Sequence, residues 1–138
     1  MLKRADGFFA YQLAVVVDDA TQGISHIVRG ADLLSSTPRQ IHLQRLLGYQ
    51  QPHYAHVPIA VNHAGEKLSK QTLAVAIEPA QSSQLLFSVL QFLGQEPPAE
   101  LQAKSIHAIW DWTFSHWQLG NIPSTFKLRG PDNDKIVV

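Results

Sequence analysis

The segment Lys67-Leu68-Ser69-Lys70 carries residue types well suited to binding an anion. Two ammonium groups with a hydroxyl between them can contact adjacent phosphate oxygens and stabilise the charge that develops on a leaving pyrophosphate. The segment therefore predicts a mobile, doubly basic loop that holds the phosphates of ATP. Taken as a bare tetrapeptide, it is more typical of a solvated loop with two lysines than of a phosphate site.

Arg29 is the second candidate. It closes a stretch rich in β-branched residues, Ile24 to Arg29, which predicts a strand that stops at Gly30. An arginine at the carboxyl end of such a strand points into the usual ligand crevice of an α/β sheet, and its guanidinium matches a carboxylate or phosphate. A structural salt bridge with Asp32 or Asp18 is the alternative interpretation.

Metal and nucleophile chemistry is poorly supported by the sequence. There is no cysteine among the 138 residues, and the odd spacing of His53 and His56 places these imidazoles on opposite faces of a predicted strand. Asp18 and Asp19 could act as metal ligands or bases, but such a pair is more typical of a helix end. We predict no metal site, and no Gly-x-Ser-x-Gly motif indicates a serine nucleophile.

Composition excludes several classes of protein. The 138 residues are 45% hydrophobic and 16% charged, and 11 basic residues balance 11 acidic ones. A net charge near zero provides no general attraction to nucleic acid or membrane. No apolar run approaches the ~20 residues needed to span a bilayer, and the first residues do not resemble a signal peptide. We expect a soluble cytoplasmic protein.

The elements that must position these residues change in character along the chain. Phe8 to Asp19 fits a helix or a buried strand, and periodicity alone does not decide between them. A strand is predicted from Tyr54 to Val61, interrupted by Pro58. Later stripes of apolar residues predict helices around 85–93 and 100–116.

The clearest helix is predicted to start at Thr37. Thr37 can cap it, Pro38 suits its first turn, and Gln40 completes a capping box with Thr37. Its apolar face would comprise Leu43, Leu46 and Leu47.

Several motifs occur in the order and at the spacing found in class I glutamyl-tRNA synthetases. The similarity runs from about Lys3 to about Gln71, and more weakly to about Ser124. The chain resembles most the short paralogues of that family, the glutamyl-queuosine tRNA(Asp) synthetases, because Val15 stands where full synthetases usually carry asparagine. The motifs are Asp6-Gly7-Phe8-Phe9-Ala10-Tyr11, Val16-Val17-Asp18-Asp19, Gly23-Ile24-Ser25-His26-Ile27-Val28-Arg29-Gly30-Ala31-Asp32-Leu33, Ser36-Thr37-Pro38-Arg39-Gln40 and Lys67-Leu68-Ser69-Lys70.

The resemblance implies a role for individual residues. Tyr11 would line the glutamate pocket and Arg29 would pair with the substrate carboxylate, while Asp32 would lie near a nucleoside. ATP would be bound by a set that combines the basic loop with the strand before it. That set comprises Lys67, Ser69 and Lys70 on the phosphates, and Ile59 with Ala60 or Val61 against adenine.

The resemblance also implies the reaction and its participants. Glutamate would be activated by ATP, with Mg²⁺, to glutamyl-adenylate and then transferred to the queuosine base of tRNA(Asp). The implied fold class is α/β: the second half of a Rossmann-type catalytic domain over residues 1–75, a helical stem-contact-like subdomain over 76–124 and a flexible tail over 125–138.

The first half of the family's catalytic domain has no counterpart in these residues. That half carries the HIGH-type motif opposite the KLSK loop and a cysteine-rich zinc site, so zinc is expected in the family although its ligands are absent here. We therefore expect the chain to be inactive alone and to need the missing N-terminal half as a partner. Three alternatives remain: a non-catalytic nucleotide- or tRNA-binding module, part of a standard glutamyl-tRNA synthetase, or a helical interaction protein that uses Trp110, Trp112 and Trp117.

Overall fold

A computed structural model describes residues 2–69 and 78–130, which form two compact units. The first unit ends at His56 and the second begins at Val57. The helices are α1 (Tyr11–Thr21), α2 (Thr37–Leu46), α3 (Ser82–Phe92) and α4 (Ile106–His116). The strands are β1 (His26–Gly30), β2 (His53–Val57), β3 (Ile59–Val61) and β4 (Lys127–Arg129). Short 3₁₀ segments cover Ala31–Ser36, Pro79–Gln81, Ala99–Ala103 and Leu119–Asn121.

The ambiguous first segment is a helix. In α1, Val16 is buried, and Asp18 and Asp19 lie in the last turn, where their carbonyls accept hydrogen bonds from the backbone of Gln22 and Ile24. The interpretation of the acidic pair as a helix end is therefore confirmed.

The predicted capping box at the start of α2 is wrong. The 3₁₀ segment Ala31–Ser36 runs directly into α2, so the Thr37 N–H already donates to the carbonyl of Leu34 and no side chain caps the helix. The side chains of Thr37 and Gln40 are thereby released from capping, and both contact Arg29 instead.

The predicted apolar face of α2 is also wrong in part. Leu43 is buried, but Leu46 is 69% exposed, whereas Gln40 and Gln44 are only 1% and 2% exposed. A buried glutamine requires hydrogen-bonding partners, because an unpaired buried amide costs about 1–3 kcal/mol. The inner face of α2 is therefore largely polar.

Pro58 divides the long predicted strand into two. Proline has no backbone N–H and is excluded from the middle of a hydrogen-bonded ladder. On one side of it, β2 pairs with β1; on the other, β3 pairs in parallel with β4, with Ile59 opposite Lys127 and Val61 opposite Arg129. The sequence did not predict β4, which lies in the segment expected to be a flexible tail; residues 131–138 of that segment lie outside the described residues.

The core of the second unit is built by α3 and α4. Phe87, Leu90 and Ile109 form a buried cluster against which Trp112 packs. The single helix predicted over 100–116 is divided, because α4 starts only at Ile106, after Ser105 caps it by accepting from the Ala108 N–H at 3.3 Å. None of the described helices is both long and apolar enough to cross a bilayer.

Candidate functional site

Arg29 lies at the carboxyl end of β1 and is surrounded by side chains from α2 and β2. Its Nη1 donates to Oε1 of Gln40 at 2.7 Å, and its Nη2 donates to Oγ1 of Thr37 at 2.7 Å. A longer hydrogen bond of 3.4 Å joins its Nε to Nε2 of His56. The guanidinium is also 5.1 Å from the centre of the Tyr54 ring, a cation–π contact.

Among the described residues, the groups that contact Arg29 carry no negative charge. Gln40, Thr37 and Tyr54 are neutral groups. These contacts do not include Asp32 or Asp18, which the alternative interpretation named as salt-bridge partners. A guanidinium has five N–H donors, and the hydrogen bonds among the described residues use three, one on each nitrogen. One donor remains on each terminal nitrogen, which is the number that a carboxylate needs for bidentate binding.

His56 is held in its neutral form by this environment. Burial lowers the pKa of its imidazole below the ordinary value of 6.5, and the positive charge of Arg29 lowers it further. A neutral imidazole can accept a hydrogen bond at one ring nitrogen, as the contact with Arg29 requires. The His56 ring is also stacked on Tyr54, with the ring centres 6.4 Å apart.

A chain of amides connects this cluster to α1. Nε2 of Gln40 donates to Oε1 of Gln12 at 2.8 Å, and Nε2 of Gln12 donates to Oγ of Ser36 at 3.1 Å. Tyr11, the predicted glutamate-pocket residue, immediately precedes Gln12 as the first residue of α1, and its side chain is exposed. Tyr11 is therefore adjacent in sequence to a residue of the network that holds Arg29, and its role in substrate binding stays a prediction.

Sequence reasoning did not single out the residues that hold Arg29 as site residues. A signal was present, since Thr37, Gln40 and Gln44 follow one another at spacings of three and four residues and so share one face of α2. A polar stripe of this kind beside a basic residue at a strand end indicates a buried hydrogen-bonded site. Gln44 extends the stripe by donating to the Tyr54 hydroxyl at 2.9 Å.

The predicted phosphate loop lies in the second unit, after a tight turn. The Oδ1 atom of Asn62 accepts from the backbone N–H groups of Ala64 and Glu66, both at 2.9 Å, and the Asn62 N–H donates to the Glu66 carbonyl. Gly65 has φ +77, a conformation that glycine adopts without strain. The segment leading into the KLSK motif is therefore closely hydrogen-bonded.

The first residues of the motif continue this ordered backbone. Lys67 forms an antiparallel bridge with Val61, and the Leu68 N–H donates to the carbonyl of Ala60 at 3.0 Å. Leu68 is buried, whereas Lys67 is exposed and Ser69 is half-buried. Burial of Leu68 anchors the motif while Lys67 faces solvent; Lys70, the residue predicted to contact the ATP phosphates, lies outside the described residues.

Strand β4 contributes further basic groups to this turn. Nζ of Lys127 donates to the carbonyl of Gly65 at 3.1 Å, and Arg129 donates to the ring of His63, with 2.6 Å between Nη2 and Nδ1. These contacts connect the turn to a strand more than 60 residues away in sequence.

The residues predicted to face adenine form β3. Ile59 is buried, and its N–H donates to the carbonyl of Phe126, while Ala60 is half-buried. Their contact with adenine stays a prediction. In the part of the chain that the structure describes, no group of three or more His, Asp or Glu residues is arranged to hold a metal ion.

Comparison with known proteins identifies the family. Residues 1–100 match the catalytic domain of class I tRNA synthetases of the E and Q type, which covers more than half of the chain. The chain therefore belongs to the family of class I glutamyl- and glutaminyl-tRNA synthetase catalytic domains.

The relatives narrow the similarity within that family. A glutamyl-Q tRNA(Asp) synthetase from Aromatoleum aromaticum is 56% identical over 128 residues, covering 93% of this chain and 41% of the relative. One from Dechloromonas aromatica is 56% identical over 123 residues, with 89% and 41% covered. The chain thus spans about two fifths of the length of these relatives.

Solved structures support the fold. The glutamate-tRNA synthetase of Elizabethkingia anophelis matches with a TM-score of 0.65 at 20% identity, over 96% of this chain and 30% of that one. A glutamate tRNA ligase from Elizabethkingia meningosepticum, solved in complex with its amino acid, gives the same TM-score at 19% identity. The mixed helix-and-strand fold expected from the sequence is in this respect confirmed.

Proposed function

We propose that this chain is the part of a glutamyl-queuosine tRNA(Asp) synthetase that binds the glutamate carboxylate and the phosphates of ATP. The observation that carries the proposal is Arg29, whose guanidinium is fixed by neutral partners and retains donors for a carboxylate. The relatives at 56% identity support the choice of this synthetase over a standard glutamyl-tRNA synthetase.

The proposed chemistry has two steps. A glutamate carboxylate oxygen attacks the α-phosphorus of ATP, forming glutamyl-adenylate as the bond to the leaving pyrophosphate breaks. The queuosine base of tRNA(Asp) then attacks the acyl carbon and AMP leaves. In the first step Arg29 holds the substrate carboxylate, while Lys67, Ser69 and Lys70 offset the charge on the phosphates, with Mg²⁺ arriving on ATP.

The proposal assigns to the chain one side of an ATP clamp. Residues 1–75 would form the second half of the Rossmann-type domain, and 76–124 a helical subdomain. Adenylate formation requires ATP and carboxylate to be held together in a reactive geometry, so we expect these residues alone to be inactive. The partner would be the family's HIGH-containing half, and the expected place of action is the cytoplasm.

A hybrid enzyme tests the proposal directly. In it, this chain replaces the matching 128 residues of the A. aromaticum relative, so that every other part of a synthetase is present. We expect the hybrid to transfer labelled glutamate to tRNA(Asp) that contains queuosine, but not to the same tRNA without it. Transfer to tRNA(Glu) instead would show a standard glutamyl-tRNA synthetase, and no transfer to any tRNA would contradict the proposal.

The phosphate role of the loop needs its own test. Lys70→Ala in the hybrid should raise the KM for ATP, because a cation that contacts the phosphates is lost. The matched control is Lys104→Ala, a change of the same type at an exposed position after the 3₁₀ segment Ala99–Ala103. If Lys70→Ala leaves both the KM for ATP and kcat unchanged, the phosphate role is wrong.

A further inference from the structure

Gln40 occupies an unusual place for a glutamine. Its side chain is 1% exposed, and both ends of its amide are used, the oxygen by Arg29 and the nitrogen by Gln12. Because a guanidinium only donates, the amide oxygen must face Arg29, and the nitrogen must then find an acceptor. Gln12 supplies that acceptor and is itself oriented by Ser36.

The chemical identity of position 40 determines the net charge next to Arg29. Glutamate has the same shape as glutamine and would accept the same hydrogen bond from Nη1 of Arg29. A carboxylate there would also form a partly buried ion pair and compensate the guanidinium before any substrate arrived. An amide fixes the direction of the guanidinium without compensating it.

Thr37 has the same role at Nη2, the other terminal nitrogen of Arg29. Its hydroxyl accepts from Nη2 of Arg29 at 2.7 Å and lies 3.0 Å from Nε2 of His56. The hydroxyl can accept from one and donate to the other, so it too is neutral and directionally fixed. Thr37 and Gln40 are one helical turn apart on α2, so one rigid element holds both terminal nitrogens.

We propose that Gln40 and Thr37 are positioning residues that aim the guanidinium of Arg29 while leaving its charge free for a substrate carboxylate. The inference rests on the proposed function, since it takes the carboxylate to be that of glutamate. It predicts that charge and direction at Arg29 can be perturbed separately, by substitutions that preserve the size of the side chain.

The kinetic test uses the hybrid enzyme and two substitutions of similar size. Gln40→Met removes the hydrogen bond and should raise the KM for glutamate on the order of tenfold. Gln40→Glu keeps the hydrogen bond from Arg29 but compensates the charge, and the Gln12 amide must turn over to donate to the new carboxylate. This change should raise that KM on the order of a hundredfold. The KM for ATP should stay within about twofold in both, because neither change touches the phosphates.

A buried glutamine elsewhere separates positioning from packing. Gln95 is 5% exposed in the second unit, where it bonds to the carbonyls of Leu93 and Gln118. Gln95→Met should lower the melting temperature without changing the KM for glutamate. If Gln40→Met and Gln40→Glu behave like Gln95→Met, the positioning role is overturned.

Position 37 supplies a rescue experiment. Thr37→Val has the same shape but no hydroxyl and should raise the KM for glutamate on the order of tenfold, whereas Thr37→Ser should restore it to within about twofold of the original value. If Thr37→Val leaves this KM unchanged, or Thr37→Ser raises it as much as Thr37→Val does, the hydroxyl is not what positions Arg29 and the proposal is contradicted.

A direct observation of Arg29 keeps this inference distinct from the proposed function. In the 138-residue chain, the guanidinium N–H signals of Arg29 in nitrogen-15 NMR should be sharp and in slow exchange with water, and Gln40→Met should broaden them. If the hybrid proves inactive but these signals behave as expected, the proposed function fails while the positioning holds. If the signals are already averaged in the unmodified chain, the positioning itself is wrong.

Discussion

The hydroxyl of Thr37 lies 3.0 Å from Nε2 of His56, and Arg29 contacts both groups. Arg29 donates to both groups, so the hydroxyl proton is available for Nε2, and Nε2 must accept. The proton of the neutral ring is then on Nδ1. If His56 were protonated, Nε2 would carry a proton and could no longer accept from Arg29. A second positive charge would then lie beside Arg29.

The first prediction concerns stability as a function of pH. The pKa of folded His56 lies below 6.5, so between the folded and unfolded values the unfolded chain binds a proton that the folded chain does not. The unfolding free energy should therefore decrease as the pH falls through 6.5 and level off once the folded form is also protonated. Denaturant titrations from pH 8 to pH 5 measure this.

A non-titrating acceptor isolates the contribution of His56. In His56→Gln the amide oxygen can replace Nε2 as the acceptor. The decrease in unfolding free energy below pH 6.5 should then be smaller by the amount that His56 contributes. Above about pH 7.5 the difference between the two proteins should be independent of pH, since the imidazole is then neutral in both states. Identical pH profiles for both proteins would contradict a neutral His56 in the fold.

The second prediction concerns the shape of the cation at position 29. Arg29→Lys keeps the charge but loses the planar fork that reaches Gln40 and Thr37 together and that we propose also binds a substrate carboxylate. In the hybrid enzyme the KM for glutamate should rise by at least about tenfold with little change in the KM for ATP. Arg45→Lys, at an exposed position in the last turn of α2, is the control and should leave both values unchanged.

The third prediction concerns the turn before the phosphate loop. Asn62→Ala removes the oxygen that accepts from Ala64 and Glu66, which should loosen the backbone that positions Lys67. The KM for ATP should rise about fivefold to tenfold, while the KM for glutamate changes less. Nδ2 of Asn62 also donates to Oε2 of Glu66 at 3.0 Å, so the control is Asn62→Asp combined with Glu66→Gln, which retains the accepting oxygen without bringing two carboxylates together. This double variant should have a smaller effect than Asn62→Ala; if it is as harmful, backbone ordering is not the cause.

The fourth prediction concerns packing in the second unit. Gly94 ends α3 with φ +70, and a Cβ there would lie 2.3 Å from the backbone oxygen of Asn121. Gly94→Ala should lower the unfolding free energy by about 2–4 kcal/mol, because backbone must move to admit the methyl group. At Gly120 a Cβ would meet nothing within 4 Å, so Gly120→Ala should change stability by less than about 0.5 kcal/mol.

The sequence predicted the elements best where local signals act alone. Gly94 marks the end of α3, and the stretch ending in Arg29 is a strand. At Thr37 and Gln40 the same residues satisfy two patterns, a helix cap and a buried site. Tertiary contacts with Arg29 decided between them, and local spacing carries no information about a partner eight or eleven residues earlier.

Long-range pairing accounts for most of what the sequence did not predict. Lys127 to Arg129 form a strand only because β3 offers a parallel edge, and nothing in a three-residue segment predicts a partner more than 60 residues away. Contacts between residues distant in sequence also explain why Leu46 is exposed and Gln40 is buried. A polar core face depends on groups opposite it that supply hydrogen bonds, and here those groups come from α1, β1 and β2.

Glutamate-dependent exchange of labelled pyrophosphate into ATP is the most direct test of the central claim, because it reports the step that we propose for Arg29 and the KLSK loop. We predict no exchange by the 138-residue chain alone, exchange by the hybrid with the A. aromaticum relative, and loss of that exchange in the hybrid carrying Arg29→Ala. Robust exchange by the chain alone would contradict the one-sided clamp. Exchange by the hybrid that persists in Arg29→Ala would contradict the assignment of Arg29 to the substrate carboxylate.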